Sequence, residues 1–274
     1  MELTPDFPPA RNWKLTLSYD GTGFHGWQVQ PGYRTIQSEL AGALQRITGE
    51  RVLPQGSGRT DAGVHALAQV ASVALQAAIP PGNLLRALNR TLPAAIRVLS
   101  VEIVPDDFHA RHSALGKTYE YRISQGPICP PTLARYVYST QWPLDIDAMA
   151  AAAPRILGEH DFTSFAAVDP DRAHRMLADA TIHNVRAMVA SNWRREGDLL
   201  VYTISGTGFL HHMVRNLVGT FLEIGRGQRR PDSIAAILGA RDRSTAGATA
   251  PARGLFLHSV SYPCEAPSCP WPSP

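Results

Sequence analysis

Between Trp13 and Ile47 the apolar residues change period once, from two to about 3.6, and that change sets the kind of layers the chain can build. In Trp13-Lys14-Leu15-Thr16-Leu17-Ser18-Tyr19, the side chains of Trp13, Leu15, Leu17 and Tyr19 fall on one face of a strand, which breaks at Asp20-Gly21. Ile36, Leu40, Ala43, Leu44 and Ile47 then recur at helical spacing, predicting a helix from about Thr35 to Ile47 with Thr35 as N-cap and Gly49 closing it. A strand near Gln69 to Leu75, a helix near Asn83 to Leu92 and a strand near Ile96 to Val104 follow, the last with Leu99, Val101 and Ile103 on one face. This half reads as split β-α-β.

The second half opens on a strand from Lys117 to Ser124, with Tyr119, Tyr121 and Ile123 on one face, followed by a long loop through Gly126, Pro127, Pro130 and Pro131. Beyond it the pattern predicts an Ala-rich helix near Ile146 to Leu157 and strands near Ala178 to Ala190 and Leu199 to Ser205. Helices near His211 to Gly225 and Pro231 to Leu238 and a final strand from Leu255 to Tyr262 complete it. The expected class is α+β: two similar β-α-β-β-α-β-like halves, residues 1–110 and 111–263, whose mostly antiparallel sheets meet around a central cleft. Residues 264–274, proline-rich and without apolar period, are expected to be a disordered tail.

At 274 residues and 44% hydrophobic content, the chain can bury one substantial core or two modest ones. It has no run of about 18 apolar residues to span a bilayer, and its first residues lack the charged start and apolar core of a secretory signal, so a soluble cytoplasmic protein is expected. Three cysteines, Cys129, Cys264 and Cys269, indicate neither a disulfide framework nor a cysteine zinc site. The net charge of +3 and pI near 8.9 suit contact with a nucleic-acid backbone without requiring it. Of the 26 basic residues all but Lys14 and Lys117 are Arg, which fits phosphate recognition by guanidinium forks. It fits equally the residue bias of a GC-rich genome.

Chemistry concentrates in Gly56-Ser57-Gly58-Arg59-Thr60-Asp61-Ala62-Gly63-Val64-His65, where one carboxylate stands among three glycines with an arginine two residues before it. Glycines let a backbone turn through positive φ and approach a ligand closely. With Arg59 and local amides nearby, Asp61 is expected to be ionised at neutral pH, as a nucleophile or base requires. The same residues also suit a tight surface turn in which Asp61 bonds its own backbone.

Gly58-Arg59-Thr60-Asp61-Ala62-Gly63-Val64-His65 resembles the catalytic-aspartate motif of the TruA family of tRNA pseudouridine synthases. In chain order the resemblance extends to Tyr19-Asp20-Gly21-Thr22 with Gly26-Trp27-Gln28, Thr35-Ile36-Gln37, Phe108-His109-Ala110-Arg111 and Lys117-Thr118-Tyr119-Glu120-Tyr121. Asp161-Phe162-Thr163-Ser164-Phe165, Phe209-Leu210-His211-His212-Met213-Val214-Arg215-Asn216 and Ala250-Pro251-Ala252-Arg253-Gly254-Leu255 continue it, so that it spans roughly Trp13 to Tyr262. It implies isomerisation of uridine to pseudouridine in tRNA, at anticodon stem-loop positions 38 to 40, by a homodimer that needs neither cofactor nor metal. It implies further that Asp61 is the catalytic carboxylate, that Tyr119 stacks on the target uracil, and that Arg215 pairs with Asp61. Arg59, His65, Arg111, His211 and Arg175 are the further expected substrate contacts. Where the family carries an Arg-Thr pair after the Ser-Phe segment, this chain has Arg172-Ala173-His174-Arg175-Met176, so Arg172 and Arg175 both stand for that role.

His211-His212, with His65, His109 and His112 elsewhere, admits a metal-dependent hydrolase. Against it, adjacent residues on a helix point about 100° apart, and the position four beyond His211 is Arg215, a cation. On a helix starting at His211, His211 and Arg215 would share a face. The turn Arg226-Gly227-Gln228-Arg229-Arg230 reads either as an RNA contact or as a solvated loop. The alternative to catalysis is a silent relative that binds tRNA without modifying it, whose mark would be loss of the aspartate.

Overall fold

The computed structural model describes residues 9–168 and 184–263. These form two compact units, one from the residues up to Leu115 together with those from Leu257 onward, the other from Gly116–Phe256. The class is α+β, with mostly antiparallel strand pairing, as the pattern predicts.

The first unit runs β1 (Arg11–Tyr19), α1 (Ile36–Thr48), β2 (Gln55–Gly56), β3 (His65–Leu75), α2 (Pro81–Thr91), β4 (Ile96–Val104). Strand β1 lies between β4 and β3, antiparallel to both, and β2 pairs with the middle of β3. The expected face of β1 is the buried one: Trp13, Leu15 and Leu17 are fully buried, as are Leu40, Ala43 and Leu44 of α1 and Leu84 and Leu88 of α2. Each such leucine side chain contributes roughly 1.5–3 kcal/mol relative to exposure. The caps of α1 are as expected. Thr35 and Ser38 form a reciprocal capping box, and Gly49 ends the helix at φ 79°.

Val101 and Ile103 share one face of β4, opposite Leu15 and Trp13, as expected, although Ile103 near the strand end is exposed; Leu99 does not join them and is exposed, while Ile96 and Val98 are buried. Ser100 pairs with Thr16 and Val98 with Leu17, so Leu99 is an extra residue between consecutive partners. Such a bulge reverses the parity of the strand and turns its extra side chain outward.

The second unit contains β5 (Gly116–Gln125), β6 (Tyr138–Thr140), α3 (Ile146–Ala152), β7 (Gly158–Asp161), β8 (Val185–Glu196), β9 (Leu199–Gly206), α4 (Met213–Gly225) and α5 (Ser233–Ala240). Its strands lie in the order β5-β9-β8-β7, all antiparallel, with β6 parallel on β5. β10 (Leu255–Ser261) carries the chain from the second unit to the first, where it lies next to β3. Tyr119, Tyr121 and Ile123 are buried together on β5, and Trp193 stacks on Tyr202 at 4.9 Å with Phe221 of α4 packed against both. The helix expected through Leu157 stops at Ala152 and continues as a 3-10 turn over Ala153–Ile156. Pro154 is the cause, because it has no amide hydrogen and its ring crowds the carbonyl four residues earlier. The strand expected at Ala178 to Ala190 is observed from Val185, and residues 178–183 and 264–274 lie outside the described residues.

At the end of β7, the carboxylate of Asp161 accepts from the amide and hydroxyl of Thr163, and Arg241 Nε stands 3.1 Å away. The Thr163 hydrogen bonds chiefly, and Arg241 less, hold this carboxyl below its ordinary value of 3.8. A depressed carboxylate stabilises the fold above the unfolded value and loses that contribution as pH falls through the folded one. Asp161→Asn should therefore cost about 1 kcal/mol at pH 7 and progressively less below pH 3.8. Paired urea titrations at pH 7 and pH 3 test this, and an equal deficit at both would count against the charge.

Candidate active-site loop and its supports

Asp61 sits in the loop that leaves β2 at Gly56 and enters β3 at His65. The segment between β1 and α1 packs against this loop by backbone bonds. Trp27 N–H donates to the Thr60 carbonyl at 3.0 Å, and Gly63 N–H to the Phe24 carbonyl at 3.3 Å. Val64 N–H closes a turn on the Asp61 carbonyl at 3.1 Å. Gly26 occupies the left-handed region, φ +81°, and a Cβ there would stand 2.4 Å from the Thr60 carbonyl oxygen. Only glycine fits both conditions. Within the loop Thr60 is buried, Asp61 half-buried and Arg59 exposed.

The other side of the loop rests on buried polar side chains. Ser57 Oγ donates to Gln69 Oε1 at 2.6 Å. Gln69 Nε2 donates to the Gly58 carbonyl at 3.0 Å and to Tyr19 Oη at 3.3 Å, and Tyr19 Oη meets Thr60 Oγ1 at 2.8 Å. Burial pushes the Tyr19 phenol up to about 12, so it stays protonated across any ordinary assay pH. His65 is 1% exposed. Its Nδ1 accepts the Gly21 amide at 3.1 Å and stands 3.2 Å from Asp20 Oδ1, so this edge of the ring braces the turn after β1. Arg111 is exposed on the turn after β4, and that turn is tied to β3 by the Ala110 amide donating to Ser72 Oγ at 3.1 Å.

In the second unit, Tyr119 is 7% exposed on β5 with Phe209 edge-on to its ring at 4.9 Å. Arg215 lies in the first turn of α4, and its Nε donates to the Ala250 carbonyl at 2.8 Å while the Ala250 amide donates back to the Arg215 carbonyl at 3.0 Å. The strap carrying Ala250 lies directly on the helix at Gly219, where a Cβ would come within 1.6 Å of the Ala248 carbonyl oxygen. Beside it, fully buried Asn216 accepts from Arg243 Nη2 and Thr249 Oγ1 and donates to the Phe165 carbonyl.

The helix does not begin at His211. It begins at Met213, with His212 at the N-cap in the left-handed region, φ 58°. The spacing that would put His211 and Arg215 on one helical face therefore does not apply. The two imidazoles instead lie against each other, with ring centroids 4.0 Å apart and planes inclined at 31°. His211 is held from two directions: the Ala167 amide donates to its carbonyl, and its Nδ1 meets the Val168 carbonyl at 3.0 Å. A carbonyl only accepts, so Nδ1 carries the hydrogen. Arg172 and Arg175 lie outside the described residues.

The basic turn after α4 is largely satisfied within its own unit. Arg226 donates to Tyr138 Oη, and Arg229 binds Glu223 and the Thr245 carbonyl. Arg230 faces solvent, its side chain 86% exposed beside Asp232. Sequence reasoning missed the Tyr19–Gln69 support and the Asn216–Arg243–Thr249 cluster. The available signal was polar side chains set among the apolar residues of β3 and α4.

A family model described as tRNA pseudouridine synthase matches residues 16–113 and 152–263. Proteins named tRNA pseudouridine synthase A are similar over nearly the whole chain. That of Solibacter usitatus is 49% identical over 92% of this chain and 100% of its own length. Those of Moorella thermoacetica and Brevibacillus brevis are 45% and 43% identical, each over 91% of this chain and 98% of their own. The matched residues include the Asp61 loop, both segments that support it, and the Arg215 helix with its strap, and the chain belongs to the tRNA pseudouridine synthase family.

Proposed function

We propose that this chain isomerises uridine to pseudouridine in the anticodon stem-loop of tRNA, at positions 38, 39 and 40, with Asp61 as the catalytic carboxylate. The observation that carries the reading is the family match running through the Asp61 loop, combined with a backbone held from both sides so that one carboxylate is presented at a fixed place. The reaction breaks the N1–C1′ bond of uridine, turns the base and joins C5 to C1′. The C5 proton leaves and N1 gains one, so the product is an isomer and no electrons are exchanged. Asp61 adds to the base, attacks C1′, or takes the C2′ proton, and each route requires an ionised carboxylate held beside the sugar.

In this reading Tyr119 stacks on the uracil and receives or relays the C5 proton, while Arg215 pairs with Asp61 and orients it. The Ala250 strap, which holds both the backbone and Nε of Arg215, supports such an orienting role. Arg59 and Arg111, both exposed, are the phosphate contacts of the first unit, joined by His211 and by Arg175 or Arg172. A paired uridine must be extruded first, at a cost on the order of a few kcal/mol, which backbone contacts offset. Among the described residues no helix is long and apolar enough to cross a membrane. The proposed setting is the cytoplasm, where a homodimer shares one tRNA.

Release of tritium from tRNA carrying uridine labelled at C5, in metal-free buffer, tests the function. The parent should release label and Asp61→Ala should not, and release by neither would favour binding without modification. Counterion release makes a second expectation: tRNA affinity should fall by at least about tenfold between 50 and 200 mM salt if several phosphates are contacted. A flat dependence would remove the arginines from that role.

A further inference from the structure

The catalytic reading gives no role to the buried polar chain beneath the Asp61 loop. Gln69 is fully buried, as is Ser57, and Tyr19 and Thr60 are 4% and 5% exposed. The Gln69 amide has one possible orientation, because Oε1 faces the Val70 amide, which only donates, and Nε2 faces the Gly58 carbonyl, which only accepts. Nε2 gives its other hydrogen to Tyr19 Oη, which shares a further bond with Thr60 Oγ1 in which either hydroxyl can donate. The direction is therefore fixed from Ser57 to Gln69 and from Gln69 to Gly58 and Tyr19.

This chain of bonds reaches residues 57, 58 and 60, the last of which adjoins Asp61, and fixes them to β3 and β1. A hydrophobic pair at the two strand positions would bury as much surface but would take these partners from the Ser57 and Thr60 hydroxyls and the Gly58 carbonyl. What it would not do is set the height and twist of the loop ahead of the carboxylate. We propose that Gln69 and Tyr19 are positioning residues for Asp61, acting through Gly58 and Thr60 to hold its carboxylate in the reactive geometry. The inference rests on the reading of Asp61 as the catalytic group.

Tyr19→Phe deletes one oxygen and breaks the link to Thr60 with the ring retained. Gln69→Leu removes the hub with nearly unchanged volume. Displacements of about 1 Å at a reacting group cost about 10²-fold in rate. Both variants should therefore lower kcat about 10- to 100-fold, with KM and tRNA Kd within about twofold of the parent. The assay is run well below each variant's melting temperature, where a purely structural weakening leaves the folded fraction and kcat unchanged. Gln69→Glu, which retains Oε1 but not the donors, should fall in kcat like Gln69→Leu. If Gln69→Leu does not fold, Tyr19→Phe carries the test by itself.

A parent-like kcat in folded Tyr19→Phe, or a raised KM with kcat intact, overturns the proposal. Asp61→Asn is measured alongside. If it turns over like the parent, the reading of Asp61 fails. If it is inactive while Tyr19→Phe and Gln69→Leu are parent-like, only the positioning role fails.

Discussion

Asp61→Asn should form no measurable pseudouridine, a loss of at least about 10³-fold, while binding tRNA within about threefold of the parent. Asparagine has nearly the same shape as aspartate but supplies no anionic oxygen to attack carbon or take a proton. The loop should survive the change because bonds to the backbone of Asp61 and to the groups around it support it. Thr60 is held through its carbonyl by Trp27 and through its hydroxyl by Tyr19, and Gly63 is held by Phe24. The turn itself closes on the Asp61 carbonyl, which the substitution leaves in place. Single-turnover assays with excess enzyme separate chemistry from binding, and filter binding under the same conditions gives the affinity. Tight binding with retained turnover would remove Asp61 from its role. Loss of both would show that its charge also organises the RNA-binding surface.

The parts of the fold written in local periodicity were legible. β1 buries the face its alternation marks, and α1 starts at Thr35 and stops at Gly49 because a cap hydroxyl and a left-handed glycine are local chemistry. Leu99 was not legible, since a bulge exists only in relation to the partner strand, where Val98 faces Leu17 and Ser100 faces Thr16. The break of the Ala-rich helix was written in the sequence as Pro154, and there the helical period masked it. His212 is harder. Nothing in His-His announces a left-handed N-cap, and the phase relation between His211 and Arg215 failed because it assumed a helix that starts two residues later.

The candidate site divides along the same line. The octapeptide around Asp61 identified the loop, since glycines, one carboxylate and one arginine are chemistry on adjacent residues. Its supports could not be found that way. Tyr19 and Gln69 are fifty positions apart and meet only because β1 and β3 pair, and each separately looks like an ordinary strand residue. The arginine-rich turn shows the same limit. Arg226 and Arg229 have protein partners, which a count of basic residues cannot reveal.

Gly26→Ala should remove most activity and about 2–4 kcal/mol of stability, whereas Gly32→Ala should cost about 1 kcal/mol and leave kcat unchanged. Both glycines have left-handed backbones, φ +81° and +78°, so both substitutions incur similar strain in the loop before α1. They differ in what the new methyl meets. At Gly32 nothing lies within 4 Å, but at Gly26 the methyl would stand 2.4 Å from the Thr60 carbonyl oxygen, with Asp61 C at 3.1 Å and Ala62 N at 3.2 Å. Those are backbone atoms and cannot swing aside like the end of a side chain. Either the segment carrying Gly26 lifts away, breaking the Trp27 to Thr60 bond, or the Asp61 loop retreats toward Tyr19 and Gln69. In both cases the carboxylate moves by a distance of the order that costs about 10²-fold in rate. Thermal melts and kcat for the two variants separate backbone strain from collision. If Gly32→Ala matches Gly26→Ala in kcat, strain alone is responsible and the contact between Gly26 and the Asp61 loop does not set the position of the catalytic group.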